Sequence, residues 1–219
     1  ALPIFALVTE DNAGNTSAAV SGNGQANTIY DATTPTAATV TAPTYAKSGA
    51  IALTYTGGAD AGGSALKTVH LWVRKDAGAW ADSGTAATAA SGSFAYTPST
   101  GNGRYYFATV AEDNAGNLSA MPSGNGSANT AYDASVPTVG TVTSPDYSRT
   151  TPISITYSGI ADTGGSGLKT VHLWARKDAG AWADTTLTNA AASGTFAYTA
   201  AAGKGTYYFA VQGEDNAGN

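Results

Sequence analysis

The sequence contains no cysteine among its 219 residues, and only 11% of its residues are charged. The absence of cysteine excludes a disulfide framework and any zinc or redox site built on thiolates, so stability must come from core packing or from bound ions. Ordinary globular domains carry about 25% charged residues. Here Ala, Thr, Ser, Gly and Asn replace them and form a neutral polar surface, which is typical of secreted structural proteins. We therefore expect an extracellular or cell-surface location.

Positive charge and long apolar runs are also scarce. The ten Lys and Arg are scattered along the chain, and the net charge is −5 at pH 7. An acidic chain without a basic stripe is a poor candidate for binding nucleic acid. No run of about 18 apolar residues occurs, so the sequence predicts no membrane insertion.

An internal repeat dominates what the sequence does contain. The motif DNAGN begins at residues 11, 113 and 215, which are 102 residues apart each time. The segments Leu66–Asp82 and Leu168–Asp184 differ at a single position. A period of this length exceeds that of solenoid repeats and matches a β-sandwich that folds independently.

We predict an all-β chain of tandem seven-stranded immunoglobulin-like β-sandwiches with a 102-residue period. The boundaries are predicted at the two Asp-x-x-x-Pro-Thr strings, which begin at Asp31 and Asp133. Residues 1–30 are then the last two strands of a preceding repeat or a donated strand. Residues 31–132 (module 1) form a complete sandwich, and residues 133–219 (module 2) form a second sandwich that lacks its own strand G.

Alternating apolar and polar residues, separated by turn signals, predict seven strands in module 1. They are A (Thr36–Thr41), B (Ile51–Thr56), C (Lys67–Lys75), a short strand around Trp80, E (Gly92–Thr97), F (Tyr105–Glu112) and G (Leu118–Ala120, continuing at Ser127–Tyr132).

Two segments carry a family resemblance. YYFATVAEDNAGNLS at residues 105–119 and ADAGGSALKTVHLW at residues 59–72 resemble the signatures of bacterial immunoglobulin-like and fibronectin type III-like tandem repeats of large extracellular surface proteins. The resemblance covers nearly the whole chain and implies an immunoglobulin-like sandwich. Such modules serve as spacers, adhesive tips or enzyme accessories, so the resemblance alone does not choose a function.

The turn after strand F is rich in oxygen ligands and has two interpretations. It is either a structural hairpin turn with an aspartate cap or part of a calcium site, because calcium prefers several carboxylate and carbonyl oxygens. Aspartates of the junctions and of the loops between strands B and C would add ligands. The candidate ligands are Asp31, Asp60, Asp113, Asn117, Asp133 and Asp162. No other cofactor is predicted.

The aromatic residues of strands C and F suggest a binding face. If Val69, Leu71 and Val73 face the core, period-two alternation turns Trp72 outward. The resemblance places Tyr105, Phe107 and Ala111 inward and Tyr106, Ala108 and Val110 outward. The candidate contact residues for another module or a sugar ring are Trp72, Tyr106, Trp174 and Tyr208. In the alternative interpretation, long neighbours such as Arg74 cover these rings.

The two histidines, His70 and His172, occupy the same position in the two modules. Each lies in the middle of a predicted strand, far in sequence from any nucleophile and carboxylate that would complete a catalytic set. We interpret both as surface residues, and we predict no enzymatic activity.

Module 2 stops after strand F, and the chain opens with the complementary strands F and G. In one interpretation the residues are a window of a longer array. In the other, the N-terminal segment of one copy completes module 2 of its neighbour, as in strand donation. The candidate donated residues are Thr16, Ala18, Val20, Ile29 and Tyr30.

These observations predict a structural repeat module of a secreted or cell-surface fibre, stalk or adhesin. In the strand-donation interpretation it would polymerise through strand complementation between subunits. Its partners would be other copies of itself. The alternative is a module that binds surface carbohydrate or another surface through exposed Trp and Tyr residues.

Overall fold

The computed structural model describes residues 4–24 and 26–219. Residues 1–3 and 25, which belong to the predicted N-terminal segment, lie outside the described residues. The described residues form β-strands and loops and contain no α-helix. In the part of the chain that the structure describes, no helix has the length and apolarity required to cross a bilayer.

The strands fall into three groups along the chain. The N-terminal segment contains β1 (Ile4–Phe5) and β2 (Ala26–Asn27). Module 1 contains β3 (Thr39–Thr41), β4 (Tyr45–Ala46), β5 (Ile51–Thr56), β6 (Leu66–Lys75), β7 (Ala81–Ala87), β8 (Gly92–Tyr96), β9 (Gly103–Asp113) and β10 (Ala128–Tyr132). Module 2 contains β11 (Thr141–Thr143), β12 (Ile153–Ser158), β13 (Leu168–Lys177), β14 (Ala183–Asn189), β15 (Gly194–Tyr198) and β16 (Tyr207–Asp215).

Module 1 is a sandwich of two sheets, with strand orders β3-β5-β8 and β4-β10-β9-β6-β7. Alternation in the sequence creates its core. In β5 the apolar residues Ile51, Leu53 and Tyr55 are buried and the residues between them are exposed. They pack against residues of the opposite sheet that include Leu71 and Phe107. The all-β sandwich predicted from the sequence is confirmed.

Individual strands differ from the prediction in detail. Predicted strand A (Thr36–Thr41) is shorter in the structure, where β3 begins at Thr39 and pairs with β5. The strand β4, which was not predicted, follows it and runs parallel to β10 in the other sheet. Pro43 lies between them, and a proline has no amide hydrogen to continue a ladder. The short strand predicted around Trp80 begins one residue later, at Ala81.

The first aromatic residue of strand F ties this strand to the preceding loop in both modules. The Tyr105 hydroxyl donates to the carbonyl of Gly101 at 2.7 Å, and the Tyr207 hydroxyl donates to the carbonyl of Gly203 at 2.8 Å. This contact has the form of the tyrosine corner of immunoglobulin-like sandwiches, where it fixes the entry into strand F.

Module 2 repeats this architecture with sheets β11-β12-β15 and β14-β13-β16 and a separate core around Ile155, Leu173 and Phe196. In the N-terminal segment, β1 pairs with β2 with the same register as β9 with β10, since Phe5 is opposite Ala26 as Phe107 is opposite Ala128. The segment therefore has the form of an isolated F–G hairpin.

Candidate functional site

Three aspartates meet at the start of each module. The carboxylates of Asp31, Asp60 and Asp113 offer oxygen atoms within 4.8 Å of one another, and Asp133, Asp162 and Asp215 do the same in module 2. Asp113, Asp133 and Asp215 are fully buried. The five aspartates among the six ligand candidates predicted from the sequence thus lie in these two triads. Asp215 was not among the predicted candidates, although the 102-residue period relates it to Asp113.

The asparagine that ends the DNAGN motif forms the same hydrogen bonds in both modules. The Asn117 side-chain amide donates to Asp113 Oδ2 at 2.8 Å and to the backbone carbonyl of Asp31 at 3.1 Å. Asn219 forms the same pair of bonds with Asp215 and Asp133, at 2.9 and 2.8 Å. The turn after strand F therefore fastens the beginning of its own module.

Asp133 also receives hydrogen bonds from the preceding module. The amide of Asn102, in the loop before β9, donates to Asp133 Oδ1 at 3.1 Å and to the Ser135 hydroxyl at 2.8 Å. The backbone amides of Ser135 and Ser166 donate to the two carboxylate oxygens at 3.0 and 2.9 Å. This buried carboxylate therefore forms hydrogen bonds with module 1 through Asn102, with the chain just after it at Ser135, and with the loop between β12 and β13 at Ser166.

The hydrogen bonds of the triad carboxylates bear on the calcium interpretation. Both carboxylate oxygens of Asp113 accept hydrogen bonds from Asn117, which fulfils the structural role of the turn. Among the described residues, no lysine, arginine or histidine forms an ion pair with either aspartate triad. Asp60 Oδ2 is buried without a hydrogen-bond partner, an oxygen that a hard cation could use. Calcium binding at the triads stays a prediction.

Buried aspartates make the stability of both modules depend on pH. Burial raises the pKa of Asp133, but hydrogen bonds from Ser166 and Ser135 outweigh it and leave this pKa below its usual range. For Asp113, burial likewise acts upward while the bonds from Asn117 bring the net pKa down. A carboxyl with a lowered folded pKa stabilises the fold above its unfolded pKa of about 3.9 and loses this contribution as pH falls through the folded value.

We therefore expect the melting temperature, followed by circular dichroism with EDTA present, to be constant near neutral pH and to fall below about pH 4. The matched variant Asp113→Asn removes one of the titrating groups, so its melting temperature should be lower at pH 7 and less sensitive to acid. A native melting temperature that does not change between pH 6 and pH 3 would contradict this account.

Each histidine lies close to two carboxylates that are distant from it in the sequence. His70 Nδ1 lies 3.5 Å from Asp82 Oδ2, and His70 Nε2 lies 2.9 Å from the Thr68 hydroxyl and 3.8 Å from Glu112 Oε2. His172 repeats the contacts with Asp184 and Glu214. These groups are adjacent because β7 and β9 flank β6 in the sheet. The register of three strands assembles this set, and no local pattern in the sequence reveals it. The absence of enzymatic activity stays a prediction.

The aromatic face of module 1 is covered by an arginine. The Arg74 guanidinium lies 4.3 Å from the ring centroid of Tyr106 and 5.6 Å from that of Trp80, a cation–π arrangement. Trp72 is half-buried opposite Ala108 on the neighbouring strand. Arg176, Trp182 and Tyr208 repeat this stack in module 2, where Trp174 is half-buried.

Two residues of strand F are less accessible than their outward positions predict. Ala108 and Val110 are 8% and 3% exposed. Their partners across the sheet are Trp72 and His70, respectively. These larger side chains share the outer face with Ala108 and Val110, so both residues point outward and are nevertheless shielded from solvent.

Module 2 presents an open sheet edge at β16. In module 1, β10 pairs with the corresponding edge of β9 over five residues, and Tyr105 and Phe107 are fully buried. Among residues 4–24 and 26–219, no strand pairs with β16 on this side, and the equivalent Tyr207 and Phe209 are partly exposed. A groove of about 650 Å³ lies along this edge, and its lining includes Tyr147, Thr206, Tyr207 and Phe209.

The predicted donor residues lie in the exposed N-terminal segment. Thr16 forms an isolated bridge with Glu10, and Ala18 is exposed. Val20, Ile29 and Tyr30 are 52%, 49% and 81% exposed, although they are large and hydrophobic. In module 1, the residues equivalent to Ile29 and Tyr30 belong to β10 and are buried or half-buried. The segment therefore exposes the residues that module 1 uses to close its own sandwich.

Comparison with known proteins supports the fold alone. No family model matches the sequence, and no curated protein matches it. Among solved structures, the crystal structure of domains A168–A170 from titin superposes with a TM-score of 0.52 at 16% sequence identity, over 84% of this chain. The chain spans 62% of the length of that titin chain. The architecture is thus that of tandem immunoglobulin-like β-sandwich domains.

Proposed function

We propose that this chain is a structural repeat protein of an extracellular or cell-surface fibre, in which β2 of one copy completes module 2 of the next. The low charge, the neutral polar composition and the 102-residue repeat support a secreted structural role. The observation that carries the proposal is the groove along β16. It occupies the position that β10 fills in module 1.

The register of module 1 specifies how the donor would bind. Ala26–Tyr30 would lie along β16 as Ala128–Tyr132 lie along β9, which sets Ile29 opposite Thr206. In module 1 the equivalent pair is Ala131 opposite Arg104. Compared with the pair in module 1, the donor residue is larger (Ile29 in place of Ala131) and the acceptor residue is smaller (Thr206 in place of Arg104). Two β-branched residues facing each other form a favourable cross-strand pair.

Donation requires an exchange of partners. The edge of β2 that would contact β16 is the edge that pairs with β1 in the free chain, so β2 must leave β1. Among the described residues, β1 pairs with β2 at Ile4 and Phe5. An isolated two-stranded hairpin is marginally stable in water. The exchange would bury Ile29 and Tyr30, and burial of one such side chain contributes about 1.5–3 kcal/mol.

The exchange would create, between two copies, a contact equivalent to that of Asn102 with Asp133 between the two modules of one chain. Asp31 comes directly after the donor strand, as Asp133 comes directly after β10. Asp31 of one copy would then meet Lys204 of the next, because Lys204 occupies the position of Asn102 in the 102-residue period. Each junction between copies would contain an ion pair in place of the amide contact within the chain. The copies would continue the spacing of the modules along a fibre.

A self-complemented chain tests this proposal. A second copy of residues 118–132, joined after Asn219, supplies module 2 with the strand that module 1 has. We expect the 219-residue chain to form filaments in negative-stain electron micrographs at high concentration. The extended chain should remain monomeric by sedimentation velocity, because its groove is filled. Filaments formed equally by both chains, or by neither, would refute the exchange.

The carbohydrate-binding alternative stays a prediction. Arg74 covers the ring of Tyr106 in module 1, so a flat aromatic platform for a sugar is not free at this position. Glycan-array binding that is lost in Trp72→Ala would support the alternative.

A further inference from the structure

A short loop covers the arginine–aromatic stack of module 1. The loop Ser123–Gly126, here named the cap loop, precedes β10. The Asn125 amide oxygen accepts a hydrogen bond from Arg74 Nη2 at 2.8 Å. The Gly126 backbone lies against Trp80, since a Cβ at Gly126 would be 2.7 Å from Trp80 Cη2. The cap loop thus binds the guanidinium and the indole of the same stack.

The corresponding stack of module 2 has no cap among the described residues. The Arg176 guanidinium lies 4.5 Å from the ring centroid of Tyr208 and 5.3 Å from that of Trp182. The stack is therefore formed, yet Trp182 and Tyr208 are 43% and 44% exposed. Trp80 and Tyr106 of module 1 are half-buried and less exposed than these two residues. The stack is adjacent to the open edge of β16 because Tyr208 belongs to that strand.

A second cap loop is present in the N-terminal segment, and it already has the required shape. Ser21–Gly24 has the same sequence as Ser123–Gly126. Gly22 and Gly24 have φ values of 59° and 72°, against 53° and 63° for Gly124 and Gly126. In both loops the last glycine amide donates to the serine carbonyl, at 3.4 and 3.2 Å. All four residues of the N-terminal loop are exposed.

We propose that the Ser21–Gly24 loop of a second copy binds the Arg176–Trp182–Tyr208 surface of module 2. Asn23 accepts the hydrogen bond from Arg176 Nη2, and the Gly24 backbone lies on the Trp182 indole. This inference rests on the proposed strand exchange, since Ser21–Gly24 lies two residues before β2 in the sequence. It adds a distinct contact, which acts mainly on the lifetime of the assembly because interface contacts of this kind chiefly affect dissociation.

Two glycines of the loop provide a matched pair of variants. Gly22 and Gly24 both have positive φ, so alanine strains the loop backbone at either position. A Cβ at Gly22 meets nothing within 4 Å, and the same holds for the equivalent Gly124. A Cβ at Gly126 would strike both the Phe107 carbonyl oxygen and the Trp80 indole. In the proposed contact, a Cβ at Gly24 would strike the equivalent Phe209 carbonyl and Trp182. The difference between Gly24→Ala and Gly22→Ala therefore reports the close approach of this loop to module 2.

The test measures two quantities in the 219-residue chain. Strand exchange is read from a disulfide between Ile29→Cys on one copy and Thr206→Cys on another. The chain has no cysteine of its own, so a mixed dimer reports pairing of β2 with β16. Cap-loop docking is read from the dissociation rate of assemblies after dilution, in chains without the cysteines. We expect Gly24→Ala and Asn23→Ala to dissociate about tenfold faster or more than Gly22→Ala, as for loss of a hydrogen bond to a charged group.

The outcomes separate the cap contact from the strand exchange. Formation of the mixed dimer together with equal dissociation rates for all three variants would overturn the cap contact and leave strand exchange standing. Absence of the mixed dimer would overturn both. A mixed dimer with faster dissociation of Gly24→Ala and Asn23→Ala alone would support the docking of this loop on module 2.

Discussion

An aspartate in place of Ile29 is expected to abolish assembly of the chain while leaving each copy folded. Ile29 is 49% exposed in the free chain, so the substitution removes little from the fold. In the assembly this position would be buried, as Ala131 is in module 1 at 5% exposure. An unpaired carboxylate in a buried position costs several kcal/mol. We expect the dissociation constant to rise about a hundredfold or more, measured by sedimentation velocity.

Asn27→Asp is the matched control for this variant. It adds the same charge to the same strand, but the equivalent Asn129 is exposed in module 1. Its carboxylate would therefore stay in solvent, and assembly should weaken little. The strand exchange would be refuted if Ile29→Asp assembled as well as Asn27→Asp. A lower melting temperature of Ile29→Asp at a concentration where both chains are monomeric would instead show that the residue supports the fold.

Replacement of Gly164 by alanine is expected to destabilise module 2 strongly. A Cβ at Gly164 would overlap Asp133 Oδ1. That oxygen is held by the backbone amide of Ser135 and the side chain of Asn102, and the second oxygen is held by Ser166. The carboxylate cannot yield without breaking bonds in a buried site. We expect a loss of about 3 kcal/mol in the free energy of unfolding of module 2, measured by urea denaturation.

A double-mutant cycle assigns this loss to the collision. In an Asp133→Ala background the carboxylate is absent, so Gly164→Ala should cost far less than in the native chain. The same cost in both backgrounds would show that the glycine serves the backbone and not the approach of Asp133. Gly62→Ala makes the equivalent collision with Asp31. Its effect should be smaller, because Asp31 is only half-buried and can move toward solvent.

The strands were the most predictable part of the structure. Predicted strand B coincides with β5, and strands C, E and F differ from β6, β8 and β9 by at most two residues at either end. Alternating side chains and the flanking turn residues encode a strand within about ten residues of sequence. The strand β4 was not predicted. It forms only by pairing with β10, a strand more than 80 residues away in the sequence.

The candidate sites divide in a similar way. The repeat of an oxygen-rich turn singled out Asp113 and Asn117, because the turn is local and its residues recur at a fixed spacing. The neighbours of His70 were missed, because β6 meets Asp82 and Glu112 only through its register with β7 and β9. The contact of Asn125 with Arg74 joins residues 51 positions apart. No local pattern relates such residues.

The sequence by itself determined the repeat, the strands and the sandwich class, since periodicity and turn chemistry act between near neighbours in the chain. Only the tertiary structure decided which surfaces are closed. In module 1, β10 covers the edge of β9 and the cap loop covers the arginine–aromatic stack. In module 2, the corresponding edge of β16 and the corresponding stack are exposed. Burial and edge pairing arise from contacts between distant segments, so they become visible only when the strands are arranged in space.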